Sequence, residues 1–188
     1  MRPFLIPEST ADSTGEHTFS ALYDAYADRV YRFCLRLCNG READAEDLAQ
    51  EVFVAAHAGL DRFEGRSSVA TWLYRIAVYR WRRMRDSRAR EVAVVSLEDG
   101  PETGSTQNDP ARAGLARISL ERALASLAPD LREAFLLVKA EGLTYREAAE
   151  VLGIPQGTIQ SRVHDAVLRL RSALSRDETR KEAAGNAL

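Results

Sequence analysis

Lysine is nearly missing from this sequence. Of its 26 basic residues only Lys139 and Lys181 are lysines, so the positive charge is almost wholly arginine. Arginine carries a planar donor fork that grips phosphate and stacks on flat rings. Cysteine and histidine are scarce as well. Cys34 and Cys38 stand four apart on a predicted helix, and the three histidines lie far from them. Two thiols without two further ligands do not make a zinc site, so no metal is expected. Core filling is the expected role of the pair, with a redox switch as the alternative.

Long apolar runs are also missing. No segment nears the roughly 18 residues of a membrane span, and the start, 1-MRPFLIPEST-10, is too short in apolar residues for a signal peptide. A cytoplasmic protein without membrane insertion is expected. There is no phosphate loop, no metal cluster and no Ser/His/Asp pairing. No catalytic residues and no cofactor are therefore expected, and the chain is not read as an enzyme.

Strand-like alternation is absent, whereas helical spacing recurs. Phe19, Leu22, Tyr23, Tyr26, Val30, Phe33 and Leu37 trace one helix, and Asn39-Gly40 stops it. A second runs through 44–60, with Leu48, Val52, Phe53 and Ala56 inward. A third follows the loop 61-DRFEGRSS-68, capped by Ser67 or Ser68, with a stripe of Val69, Leu73, Ile76, Ala77 and Met84. Residues 96–114 are rich in Gly, Pro, Ser and Thr and acidic through Glu98, Asp99, Glu102 and Asp109, which is the composition of a linker. Helical pattern resumes near Ala116. The fold class is all-α. Residues 1–17 form a disordered extension, 18–90 a first small helical domain, 91–113 a flexible acidic linker, 114–176 a second domain, and 177–188 a tail.

The second domain holds the strongest local signal. In 143-LTYREAAEVLGIPQGTIQSRVHDAVLRLR-171, Thr144 and Glu147 make a capping box, with Leu143 and Ala148 as its staple. Gly153 permits a left-handed turn, and Ile159, Val163, Ala166, Val167, Leu170 and Leu174 stripe the next helix. This is a helix-turn-helix. Ser161, His164, Asp165 and Leu168 point away from the stripe, flanked by Gln160 and Arg162. Such side chains read base edges in a major groove, and Thr158 with the helix-start N–H groups holds phosphate. Arg146 and Arg169 complete this set.

The first domain carries a charge contrast. Residues 62–90 hold nine arginines against Glu64 and Asp86. Within them, 72-WLYRIAVYRWRRMRD-86 interleaves five arginines with two tryptophans and two tyrosines. Trp72, Tyr74, Tyr79 and Trp81 exceed what the narrow stripe can bury. Arginine with exposed aromatics suits single-stranded nucleic acid, although a solvated face gives the same charge run. Just upstream, 42–51 carries five acids and no base, which suits a basic protein surface or plain solvent.

Taken together, 45-AEDLAQEVF-53, 71-TWLYRIA-77, 142-GLTYREAAEVLG-153 and 157-GTIQSR-162 closely resemble bacterial RNA polymerase sigma factors of the extracytoplasmic-function subfamily (group 4). The resemblance covers 18–90 and 114–174. It implies that the first domain is region 2, which binds the clamp helices of the polymerase's largest catalytic subunit and melts the minus-ten element. It implies that the second is region 4, which reads the minus-thirty-five element as duplex and sits on the polymerase flap. Asp44, Glu46, Asp47, Gln50, Glu51 and Phe53 then fall on the polymerase-facing helix. Arg62, Phe63, Arg66, Ser67, Ser68 and Trp72 fall in or beside the loop that receives a flipped base. Arg75, Tyr79, Arg80, Arg82, Arg83 and Arg85 lie along the opened strand. An anti-sigma factor is a further implied partner. Tyr79 stands where the family commonly has Asn, and Gln160 and Asp165 stand where it often has basic residues. Both departures imply altered promoter preference. The rival reading is a stand-alone helix-turn-helix regulator, for which the first 90 residues supply neither a dimerising heptad nor an α/β receiver pattern.

Overall fold

The protein is described by a computed structural model covering residues 14–95 and 120–185. Every regular element among them is helical. The first half comprises α1 (Thr14–Leu37), α2 (Glu42–Gly59), a 3₁₀ turn (Leu60–Arg62) and α3 (Val69–Val95). In the second half α4 is described over 120–125 and is followed by α5 (Pro129–Phe135), a π turn (Leu136–Ala140), α6 (Tyr145–Leu152) and α7 (Gln156–Gly185). Helix α1 begins within the stretch read as disordered, α3 runs into the stretch read as linker, and α7 enters the tail. Most of the linker lies outside the described residues.

Local chemistry explains the boundaries. Helix α1 ends as Asn39 and Gly40 turn left-handed, at φ 58° and 78°, while the Gly40 N–H donates to the Leu35 carbonyl at 2.9 Å. Ser68, rather than Ser67, caps α3: its Oγ accepts the Thr71 N–H at 3.1 Å. Pro129 opens α5 in its first turn, where a missing N–H costs nothing. Arg132, buried beneath that turn, donates to the carbonyls of Leu124, Ala125 and Leu127, the orphan acceptors at the end of α4.

Helices α1, α2 and α3 pack pairwise around Leu22, Val30, Phe33, Leu48, Val52 and Leu73. Cys34 and Cys38 lie wholly inside this core as free thiols. Burial is the main cause that raises both thiol pKa values above the ordinary range, to about 11 for Cys38. The two halves are not separate bodies. One buried cluster continues from α1–α3 through Leu136, Leu137, Leu143, Val151 and Leu152 into Ile159 and Val163, with α3 packed against α6. A second cluster of Ala123, Leu127, Leu131, Ala166 and Leu170 ties α4 and α5 to α7.

That continuity alters the expectation for the aromatic helix. Tyr74 is 1% exposed and Trp81 is likewise buried, so the inward face of α3 is wider than the single stripe of Leu73, Ile76 and Ala77. Trp72 is half-buried, stacked 4.8 Å from Phe63. Only Tyr79, 58% exposed, presents its ring to solvent.

Candidate functional site

Three surfaces gather the residues singled out in the sequence. The first is a groove of about 870 Å³ between α1 and α2. Phe19, Tyr23, Phe53, Val54 and His57 form its apolar lining, and Asp28, Glu46, Asp47 and Gln50 its polar rim. The Tyr23 and Phe53 rings meet edge-on at 4.8 Å, and Val54 is 65% exposed in the open groove. Positions 46, 47, 50, 53 and 54 follow helical spacing, so one face of α2 turns to α1 and carries them together. Asp44 and Glu51 are on another face. Asp44 turns towards α3, held by both terminal nitrogens of Arg88 and by Arg41 Nε at 2.5 Å. The hydrogen bond from Arg88 leads the causes that hold its carboxyl below the usual aspartate range. Glu51 lies 3.6 Å from Arg80, also on α3.

The second surface is the outward face of α3 with the loop before it. Arg75, Tyr79 and Arg83 recur at i, i+4 and i+8 and are all exposed. Arg62 and Arg66 extend the charge into the loop, where Gly65 takes φ 68° and Arg66 reaches Glu64 at 3.1 Å. Ser67 is half-buried, and Ser68 is committed to its cap. The remaining arginines of the helix point elsewhere. Arg80 faces α2, and Arg85 pairs with Asp86 at 2.9 Å while covering the Trp81 ring. Arg82 turns to the second half of the chain and forms a two-pronged bond with Glu133, at 2.9 and 2.5 Å.

The third surface is the start of α7. The capping box of α6 is complete: Thr144 Oγ1 accepts from Glu147 N–H at 3.2 Å, and Glu147 accepts from Thr144 N–H at 2.8 Å. Gly153 ends α6 at φ 68°, and the Pro155 carbonyl starts α7 by accepting the Thr158 N–H at 2.9 Å. With Ile159 and Val163 buried, Gln160, Ser161, His164, Asp165 and Arg169 stand together in solvent, along with Leu168. Thr158 and Arg162 flank them half-buried, Arg162 being 3.4 Å from Asp130. Arg146 is exposed on α6 beside Glu150. Among the described residues no group of three His, Cys, Asp or Glu is placed to hold a metal, and no helix is long and apolar enough to cross a membrane.

Sequence reasoning missed Glu133 and Glu141. Both are buried acids of the second half. Glu141 takes Arg36 at 2.8 Å and the Tyr74 hydroxyl at 2.5 Å, with Arg29 at 3.4 Å; its backbone carbonyl accepts from Arg29 at 2.7 Å. Burial, followed by the hydrogen bond to Glu141, pushes the Tyr74 hydroxyl well above the ordinary tyrosine range. The partners are 51 to 112 residues away, beyond any local pattern.

Residues 22–91 match the family model of Sigma-70 region 2, and 117–170 match that of Sigma-70, region 4. The sequence is 35% identical over 183 residues to the ECF RNA polymerase sigma factor SigC of Mycobacterium tuberculosis, spanning 94% of this chain and 91% of that protein. It is 30% identical to SigW of Bacillus subtilis, over 85% and 90%. SigE of Mycolicibacterium smegmatis is 32% identical over 90% of this chain, which spans 66% of that longer protein. Among solved structures, the sigma factor RpoE in complex with the anti-sigma factor NepR from Bartonella quintana superposes with TM-score 0.73 at 33% identity, over 84% of this chain and 96% of that one. CnrH in complex with the cytosolic domain of CnrY gives 0.63 at 26% identity, over 86% and 90%.

Proposed function

The chain belongs to the extracytoplasmic-function sigma factors of bacterial RNA polymerase, and from that premise we propose which of its surfaces carry the work. A sigma factor binds core polymerase, brings it to promoters and opens the DNA there; the polymerase, not the sigma factor, makes RNA. The groove between α1 and α2 is the seat for the clamp helices. Its apolar floor supplies contact area, and Glu46, Asp47 and Gln50 supply a rim complementary to a basic partner. Asp44 and Glu51 brace α3 and are not contacts.

The face of Arg62, Arg66, Arg75, Tyr79 and Arg83 takes the opened minus-ten strand. Guanidinium groups hold successive phosphates while the Tyr79 ring offers a stacking plane. Phe63 and Trp72 support the loop from behind. The start of α7 reads the minus-thirty-five duplex through Gln160, Ser161, His164 and Arg169, with Thr158 and Arg146 on the backbone. The segment around the helix-turn-helix meets the polymerase flap. The protein works in the cytoplasm, and an anti-sigma factor regulates it; the structural relative from Bartonella quintana was solved in complex with the anti-sigma factor NepR.

The observation that carries this reading is the separation of charge between neighbouring helices. One face of α2 gathers acids around an apolar groove, and one face of α3 gathers arginines around an exposed ring. Asp47→Lys combined with Val54→Asp tests it. The double variant should lose at least about 2 kcal/mol of core-polymerase affinity, as removal of an interface anchor does. Its helicity and its duplex contacts through α7 should stay intact. Core binding equal to wild type in a pull-down would remove the groove from the interface.

A further inference from the structure

Residues 156–176 of α7 contain one acid, Asp165. The buried stripe of Ile159, Val163, Ala166 and Leu170 fixes which way the helix faces. At 3.6 residues per turn, Ser161, His164, Asp165 and Leu168 lie within about 50° of the line opposite that stripe, and all four are exposed. Gln160, Arg162 and Arg169 fall to the sides. A helix seated in a major groove turns its outward line to the base edges and its sides to the phosphates. Asp165 is therefore aimed at bases and not at the backbone. Its carboxylate has no ion pair or hydrogen bond among the described residues; Arg162, three residues earlier, is 3.4 Å from Asp130 instead. Drying a bare carboxylate against a polyanion is costly unless the DNA supplies a donor.

We propose that Asp165 is a specificity-determining residue, which takes the exocyclic amino group of one cytosine in the minus-thirty-five duplex. This role rests on α7 being the helix that reads that duplex. In the major groove only cytosine and adenine offer an N–H donor. Guanine presents O6 and N7 and thymine presents O4, all of them acceptors, so both bases repel a carboxylate. Adenine sets N7 beside its amino group. One carboxylate oxygen can take the amino proton there, but the other then confronts the N7 lone pair. Cytosine has only a carbon-bound hydrogen beside its amino group and accommodates both oxygens. Asp165 thus acts as much by exclusion as by attraction. The wrong base leaves an anion unpaired in a closed interface, and such a penalty is what separates one partner from another.

The test uses holoenzyme assembled from bacterial core polymerase and the full chain. One promoter that it transcribes is randomised over the minus-thirty-five element, and the transcribed fragments are sequenced. Wild type should prefer cytosine at one position by about fivefold or more, the discrimination of a single base contact. Asp165→Ala should bring all four bases at that position within about twofold, while preferences elsewhere in the element persist. Asp165→Asn should raise adenine above cytosine at the same position and on the same strand, because an amide matches the adenine donor and acceptor together. Asp24→Asn, the same charge change on an exposed site of α1, should leave every preference as in wild type. A cytosine preference that survives in Asp165→Ala, or an Asn variant with no gain of adenine, would overturn the role of Asp165. So would variants that strengthen transcription from all sequences alike, since the acid would then only repel DNA. Wild-type holoenzyme that transcribes without any upstream preference would instead overturn the reading of α7, and the role of Asp165 with it.

Discussion

Asp44 shows how much a single side chain decides. It begins the acidic run of α2, yet its carboxylate lies between Arg88 and Arg41 rather than in the groove. The Arg88 hydrogen bond outweighs the opposing effect of burial and lowers its pKa. A depressed folded value means that the stabilisation is fully present above the unfolded aspartate pKa of about 3.9 and fades as pH falls through the folded value. Asp44→Asn should therefore cost about 1–3 kcal/mol at pH 7, typical of a hydrogen bond to a charged group. The gap between variant and wild type should shrink below about pH 4. Urea unfolding at several pH values measures this, and a gap unchanged between pH 7 and pH 3 would contradict the assigned pairing.

At the scale of elements, what could be read in the sequence divides by sequence separation. The capping box of α6, its closing glycine, the proline start of α5 and the stripe of α7 all depend on residues three to seven apart, and each stands where the spacing puts it. The faces of α2 and α3 were legible only in part. Charge counts placed acids on α2, but which of them face α1 and which face α3 depends on how three helices meet. Tyr74 and Trp81 count as surplus on the stripe of Leu73, Ile76 and Ala77, yet both are buried: the Tyr74 ring meets Phe33 of α1 and its hydroxyl reaches Glu141, while α3 also packs against α6, over 50 residues on. Glu133 and Glu141 gave no local signal, since an acid in a helix reads as exposed until its arginine is known.

The turn of the helix-turn-helix supports a direct test at this scale. Gly153 sits at φ 68° with no atom near the place a Cβ would occupy, so Gly153→Ala meets backbone strain and not a clash. It should cost about 1–2 kcal/mol, and Thr144→Ala about 1 kcal/mol through loss of the cap. Thermal unfolding checks both. Equal stability of Gly153→Ala and wild type would rule out the left-handed turn.

The two DNA-facing elements should also fail differently. Alanine at Gln160 or His164 should change which upstream sequences are used, by about 1–3 kcal/mol per lost base contact. Alanine at Arg75 or Arg83 should weaken all promoters alike and reduce the salt dependence. Reporter profiles with those effects exchanged would contradict the assignment of the two faces.

For the whole molecule, charge and architecture agree. A chain with a formal net charge of −2 has weak long-range attraction to DNA, and the strand-binding role proposed for its arginine face needs DNA already opened. On the assignment proposed above, core polymerase supplies both deficits by holding the two DNA-facing surfaces at one spacing, so that their affinities combine. The most direct measurement is run-off transcription from a pool of bacterial promoter fragments, with core polymerase and this chain present singly and together. The expected result is a defined set of transcripts with fixed start points only when both are present, together with permanganate-reactive thymines near minus ten and no stable duplex complex of the chain alone. Transcription that is unchanged by adding the chain, or sequence-specific nanomolar duplex binding by the chain without polymerase, would contradict the assignment.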